Sequence, residues 1–192
     1  MSVWFKNIEP ELKGNVILFD LDGTLVETDY ANFIAYKKSI EIVLGKSTNI
    51  IFDKNNRFDR ATLSNHFPNL TDMQLINIIR LKNNIVKHYA NTTMINKKVR
   101  HVLISNAKKG TNILVTNSNY DRAMSILEYY NLERYFKVVL CASHRKHMEN
   151  KYQHAINVLS IDGKLVKVYE NDSTQIQYAK QAGILERNIV KV

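Results

Sequence analysis

Two aspartates one residue apart, Asp20 and Asp22, sit where an apolar run ends, in the segment Phe19-Asp20-Leu21-Asp22-Gly23-Thr24-Leu25. On an extended backbone, side chains at i and i+2 leave from the same side, so both carboxylates address one ligand. Gly23 allows the sharp exit that keeps them together. Close carboxylates repel each other, which calls for a bound cation or one raised pKa. A hard cation such as Mg²⁺ suits a set of oxygen ligands. The bland alternative is a strand end closed by an Asx turn. By chance D-x-D-G-T occurs with a frequency of order 10⁻⁵ per position, or ~10⁻³ in a chain of this length, at average residue usage.

The elements that must hold this pair follow from periodicity. Short β-branched runs at Val16–Phe19, Ile113–Val115, Val138–Leu140 and Val166–Tyr169 each end in a polar cluster, and a fifth, Ile189–Val192, closes the chain. Such runs, separated by helical patterns, predict buried strands of a parallel sheet. Crossover helices are expected at about Tyr120–Tyr130, Tyr152–Leu159 and Thr174–Ala182, the last capped by Ser173 or Thr174 and stopped by Gly183. The alternation predicts an α/β fold with a Rossmann-like, doubly wound parallel sheet. Asp20 and Asp22 then lie beyond the carboxyl end of the first strand, where open α/β sheets bind ligands. After Leu25 no strand is expected before Ile113. Helical patterns at about Asp29–Leu44, Thr71–Tyr89 and Lys97–Lys109 fill the gap. The division is a catalytic core of residues 1–27 and 107–192 with an inserted α-helical cap of 28–106, the helix after Asn96 leading back toward the core.

The 192 residues, 45% apolar and 23% charged, fit one core domain with a modest insert. Two prolines and six glycines leave no room for a long flexible linker, and the single cysteine excludes an internal disulfide or a multi-cysteine metal site. A reducing cytoplasm is the simplest compartment. No apolar run approaches ~18 residues, so no membrane span is expected, and the first residues match neither a signal nor a transit peptide. The net charge is +9. Residues 28–106 hold 12 Lys/Arg against 5 Asp/Glu, while the rest holds 15 against 13, so the insert carries the basicity. A basic lid suits an anionic substrate. The 22 Asn beside abundant Lys also point to AT-rich coding, which would give a solvated basic surface with no partner.

The segment FDLDGTLVET resembles the first motif of the haloacid dehalogenase superfamily of aspartate-nucleophile phosphohydrolases. The likeness continues along the chain. Ile113-Leu114-Val115-Thr116-Asn117-Ser118 is similar to the second motif, Lys151 to the third-motif lysine, and Tyr169-Glu170-Asn171-Asp172-Ser173 with Ala179–Ile184 to the fourth. The insert occupies the position of the helical, C1-type cap in the phosphoglycolate phosphatase and β-phosphoglucomutase-like subgroup. Two departures stand out. Asn171 precedes Asp172 where two adjacent acids are common, and Lys151 is followed by Tyr152-Gln153-His154 rather than Pro-x-Pro, which leaves Lys146 as a competitor.

The resemblance implies Mg²⁺-dependent hydrolysis of a phosphomonoester, with a small phosphorylated metabolite as substrate. Asp20 would be the nucleophile that becomes an aspartyl-phosphate. Asp22, its pKa raised, would protonate the leaving oxygen and later deprotonate water. The metal would sit among Asp20, Asp22 through its backbone carbonyl, and Asp172, with Glu170 or Asn171 as outer partners. Thr116 and Lys151 would hold phosphoryl oxygens, with backbone N–H groups near Leu21 and Asn117 assisting. The family's dehalogenases lack the second aspartate, so Asp22 favours phosphate chemistry.

Two other readings stay open: the basic insert suits nucleotides or nucleic-acid ends, and the irregular third and fourth motifs suit a binding or regulatory protein on a degenerate scaffold. Within the insert, Lys37, Lys38, Arg57 and Arg60 are candidate anion contacts or solvated charges. Phe33 and Tyr36 are candidate cleft walls or ordinary packing. His144 and His147 lack a third ligand, Cys141 reads as a small buried apolar residue, and Trp4 with Phe5 as packing.

Overall fold

The computed structural model describes residues 12–145 and 149–192. Five strands, β1 (Val16–Phe19), β4 (Thr111–Val115), β5 (Val138–Leu140), β6 (Lys167–Glu170) and β7 (Ile189–Lys191), form one sheet in the order β5-β4-β1-β6-β7. Every pairing in it is parallel, as near-continuous apolar strands buried on both faces require. The chain order reverses at β1, which puts the switch point of the sheet at the strand that ends in Asp20.

Helices cover both faces. Helix α5 (Tyr120–Tyr129) sends Ala123, Ile126 and Leu127 into a cluster with Ile17, Phe19 and Leu114. On the other face Leu18, Ile113 and Val168 pack with Tyr152, Ala155 and Leu159 of α6 (Lys151–Leu159) and with Ala179 of α7 (Ser173–Gln181). The alternation along β1, Ile17 and Phe19 to one side and Leu18 to the other, is the period-2 pattern of a strand.

Between β1 and β4 the chain forms a second, smaller core. Helices α1 (Asp29–Leu44), α2 (Arg60–His66) and α3 (Asp72–Ile85) gather Phe33, Tyr36, Ile40, Phe58, Leu63 and Ile78 around one apolar cluster. Helix α3 starts at a capping box in which Thr71 and Gln74 bond each other's backbone N–H. Phe33 and Tyr36 belong to this cluster, each 6% exposed, so packing accounts for them. Two short antiparallel strands, β2 (Val26–Glu27) and β3 (Met94–Ile95), join this unit to the sheet.

Helix α4 (Lys97–Asn106) leads back into the core, as expected of the helix after Asn96. Val99 and Leu103 are buried in the same cluster as Ile17, Phe19 and Leu114, so α4 is part of the sheet's helical cover although it falls within 28–106. Its apolar face matches the sheet, and the β2–β3 pairing marks the crossing between the two cores. Trp4, Phe5, Lys146 and His147 lie outside the described residues. No helix among the described residues is long and apolar enough to cross a membrane.

Cys141, at the end of β5, is completely buried, and burial pushes its thiol up to about 12 against the pull of Arg145. At pH 8 the thiolate fraction is then about 10⁻⁴, and the thiolate is the reactive form. Folded protein should resist iodoacetamide at pH 8 and react fully after denaturation; rapid labelling of the native chain would contradict this burial.

Candidate active site

The parallel register brings the expected residues to one end of the sheet. Phe19 lies opposite Leu114 on β4 and Tyr169 on β6, so Asp20 leaves the sheet level with Val115, one residue before Thr116, on one side and with Glu170 on the other. The N–H of Asp20 donates to the Tyr169 carbonyl at 3.1 Å. The following loop is tight: the N–H groups of Leu25 and Val26 both return to the Leu21 carbonyl, and Gly23 adopts φ +81°. A Cβ at Gly23 would lie 2.3 Å from Asn171 Nδ2, so the glycine is what lets this loop approach the end of β6.

Asp20 and Lys151 form a buried ion pair. Lys151 Nζ lies 2.6 Å from Asp20 Oδ1 and 2.7 Å from Glu170 Oε2, with the ammonium 2% exposed. Lys151 is the first residue of α6, whose Asn150 cap accepts the Gln153 N–H at 2.7 Å and fixes the helix start. Tyr152 O–H donates to Glu170 Oε2 at 2.6 Å, and Glu170 Oε1 accepts the N–H groups of Asn171 and Asp172. Two carboxylates thus share one ammonium. Burial, with the Glu170 and Asp22 charges, pushes Asp20 up to about 7 although Lys151 pulls it down. Lys151 shifts upward: burial works against its charge, and Asp20 and Glu170 overcome it.

Asp22 differs from expectation. Burial alone would raise its pKa, but the Arg122 guanidinium and hydrogen bonds from Ser118 and Thr28 hold it well below the usual carboxylate range. Arg122 Nη2 lies 2.5 Å from Oδ1 and Nη1 3.0 Å from Oδ2; Thr28 Oγ1 donates to Oδ1 at 2.5 Å and Ser118 Oγ to Oδ2 at 2.6 Å. A carboxylate gripped by a bidentate guanidinium stays ionised. As placed, Asp22 is ionised and holds no proton to donate.

Thr116 is buried at the end of β4, its hydroxyl accepting the Ser118 N–H at 3.0 Å. The exposed Asn117 side chain accepts from Arg145 at 2.7 Å. Asp172 is not drawn into the cluster. It is exposed and caps α7, Oδ1 accepting the Gln175 N–H at 2.9 Å, the role expected of Ser173 or Thr174. A strong N-cap satisfies a helix end in water and commits one Asp172 oxygen to α7. Asn171 lies against the loop after β1, its Oδ1 accepting from Thr24 Oγ1 at 3.1 Å. Among the described residues no three His, Cys, Asp or Glu side chains stand close enough to hold a metal ion. Asp20 and Asn171 offer one carboxylate and one amide, a poorer donor set than three carboxylates and only a loose fit for Mg²⁺.

Arg122, Ser118 and Thr28 are absent from the sequence-derived site. Arg122 did leave a signal: a cation in the first turn of α5 opposes the helix dipole and needs a carboxylate partner. Lys82 of α3 was also missed. Its Nζ lies 4.9 Å from the Tyr36 ring centre, and burial with the nearby Arg122 charge lowers it to about 8 while Asp22 opposes. Lys82 therefore stands within electrostatic reach of the Asp22–Arg122 pair. Arg57 lies 3.3 Å from Asp29 at the start of α1, whereas Arg60 and Lys38 are solvated. Lys37 reaches the Ile50 carbonyl at 3.5 Å.

The family model described as haloacid dehalogenase-like hydrolase matches residues 17–186, which spans both the insert and the site. The chain belongs to the haloacid dehalogenase-like hydrolases. This hydrolase shares its fold with a haloacid dehalogenase-superfamily hydrolase of subfamily IA from Geobacter sulfurreducens, at 16% identity and TM-score 0.70, with 92% of this chain and 86% of that one aligned. It is also similar to CbbY from Rhodobacter sphaeroides, solved with phosphate, at 15% identity and TM-score 0.71 over 88% and 83% of the two chains. A haloacid dehalogenase-like hydrolase from Streptococcus pneumoniae aligns at 14% identity and TM-score 0.69 over 88% and 81%. No curated protein sequence matches the chain.

Proposed function

We propose that this hydrolase cleaves phosphomonoesters by forming a phosphoryl-enzyme on Asp20. The observation that carries the reading is Asp20 itself: a buried carboxylate at the switch point of a parallel sheet, bonded to a buried ammonium. In the first step an Asp20 oxygen bonds to phosphorus while the bond from phosphorus to the ester oxygen breaks, and the leaving oxygen takes the proton of a protonated Asp22. In the second, the Asp22 carboxylate, once released from Arg122, accepts a proton from water as the water oxygen bonds to phosphorus and the Asp20–phosphorus bond breaks. Proton donation by Asp22 in the first step would require its release from Arg122. Lys151 and Thr116 are the groups we assign to the phosphoryl oxygens, where charge spreads in the transition state.

Magnesium is the cofactor implied by family membership. The Asp20 carboxylate, the Asp22 backbone carbonyl and the Asn171 amide would hold it, and it would supply further neutralisation of phosphoryl charge. A small phosphorylated metabolite is the substrate class favoured. CbbY was solved with phosphate, and Lys82 and Arg57 offer cations to a second anionic group. Phosphate release from an aryl phosphate, then from phosphosugars, phosphoglycolate, nucleotides and oligonucleotide ends, with and without Mg²⁺, tests the reading. Turnover of the aryl phosphate and of at least one small phosphate ester is expected; inertness toward all of them would defeat it.

A further inference from the structure

Every buried carboxylate near the mouth of this site except Asp20 has its lone pairs filled by the protein itself. Both oxygens of Asp22 are held, Oδ1 by Thr28 and Arg122, Oδ2 by Ser118 and Arg122. Both oxygens of Glu170 are held, Oε1 by two backbone N–H groups and Oε2 by Tyr152 and Lys151. Asp172 faces solvent as a helix cap. Among the described residues Asp20 is bonded through Oδ1 alone. Within the directly bonded set, and with Asp20 ionised, Asp20, Asp22 and Glu170 bring three negative charges and Lys151 and Arg122 two positive ones, a net charge of −1.

We propose that this site supplies its own counter-cations, holds a divalent ion only weakly, and owes that weakness to Asn171. A divalent ion entering a centre of net charge −1 leaves it at +1, out of balance before an anionic substrate arrives. Aspartate at 171 would make the centre −2, and one divalent ion would neutralise it. Position 171 is the one that matters because its side chain is pressed against the loop bearing both aspartates. Gly23 leaves no space for a Cβ there, and Thr24 bonds the amide. Residues 170 and 172, one step to either side, are committed to Lys151 with Tyr152 and to the cap of α7. Replacing a charged oxygen by a neutral amide oxygen removes the Coulomb attraction between contact charges, which inside a protein exceeds several kT.

This inference rests on the phosphoryl-transfer reading for its relevance, but its test needs no substrate. Isothermal titration with MgCl₂ and MnCl₂, with melting temperature as a second readout, is applied to the wild type, Asn171→Asp and Asp172→Asn. We expect millimolar half-saturation in the wild type, binding at least about tenfold tighter in Asn171→Asp, and wild-type affinity in Asp172→Asn. Micromolar binding by the wild type would overturn the proposal, as would no gain in Asn171→Asp or loss of binding in Asp172→Asn. If Asn171→Asp does not fold, the wild-type affinity and the Asp172→Asn comparison still decide. Failure here with aryl phosphate turnover intact would leave the hydrolase reading standing, and the reverse result would separate them equally well.

Discussion

Asp20→Asn should lower phosphate release by about 10³-fold or more, because the amide cannot serve as the nucleophile that splits the reaction in two. The substitution keeps shape and volume and an oxygen for Lys151, whose ammonium also retains Glu170 at 2.7 Å. It also removes one of two carboxylates crowding a single buried ammonium, a crowding that adds to burial in raising Asp20. The melting temperature should therefore stay within about 4 °C of wild type, the shift that about 1 kcal/mol produces in a protein of this size. Mass spectrometry of a rapid quench should find phosphate on Asp20 in the wild type and none in the variant. Undiminished turnover by Asp20→Asn would remove Asp20 from the chemistry.

Lys151→Met should cost both activity and stability. Methionine fills most of the lysine volume but leaves Asp20 and Glu170 facing each other in a buried site, with Tyr152 as the remaining donor to Glu170. Removing one partner of a buried ion pair typically costs about 3–5 kcal/mol, because the other charge is left uncompensated. For a protein of this size that corresponds to a fall in melting temperature of about 6–20 °C. The companion variant Lys151→Met/Asp20→Asn removes the stranded charge as well, and it should recover part of the loss. That recovery is the coupling a double-mutant cycle reads, and a purely packing role for Lys151 would not produce it. Urea unfolding of the four proteins measures it; additive losses would show that the two side chains are not energetically paired.

The arrangement assigns different duties to two adjacent aspartates. Asp20 is poorly compensated and sits near neutrality, while Asp22 is over-compensated by Arg122, Ser118 and Thr28. The loop from Asp20 to Thr24 gives each its own partners: Asp20 turns to α6 and the end of β6, and Asp22 turns to α5 and the start of the cap. Lys82 brings a cap cation toward the second of these.

Much of the fold was legible in the residues alone. The strands around Val16–Phe19, Ile113–Val115 and Val138–Leu140 are apolar runs that only a sheet covered on both faces can bury. Helix α3 announces itself by a capping box, and α5 by apolar residues at helical spacing. These are local signals, set by periods of 2 and 3.6 residues, and neighbours in sequence suffice to read them. Asp20-Leu21-Asp22-Gly23 belongs to the same class, since its spacing and its place at a strand end define the site before anything is folded.

Tertiary structure alone decided which side chains answer the two aspartates. Arg122 is 100 positions from Asp22 and meets it only because β1 and β4 pair in one register and α5 starts where β4 ends. The choice among Glu170, Asn171 and Asp172 turned on a single step of the chain. Consecutive side chains leaving a strand point in different directions, so a shift of one residue exchanges a buried bridge, a loop contact and an exposed helix cap. Helix α4 was assigned to the sheet by where its apolar face found a partner. Composition and periodicity determine which segments must be buried; which charges then face each other depends on distances between strands that no local pattern encodes.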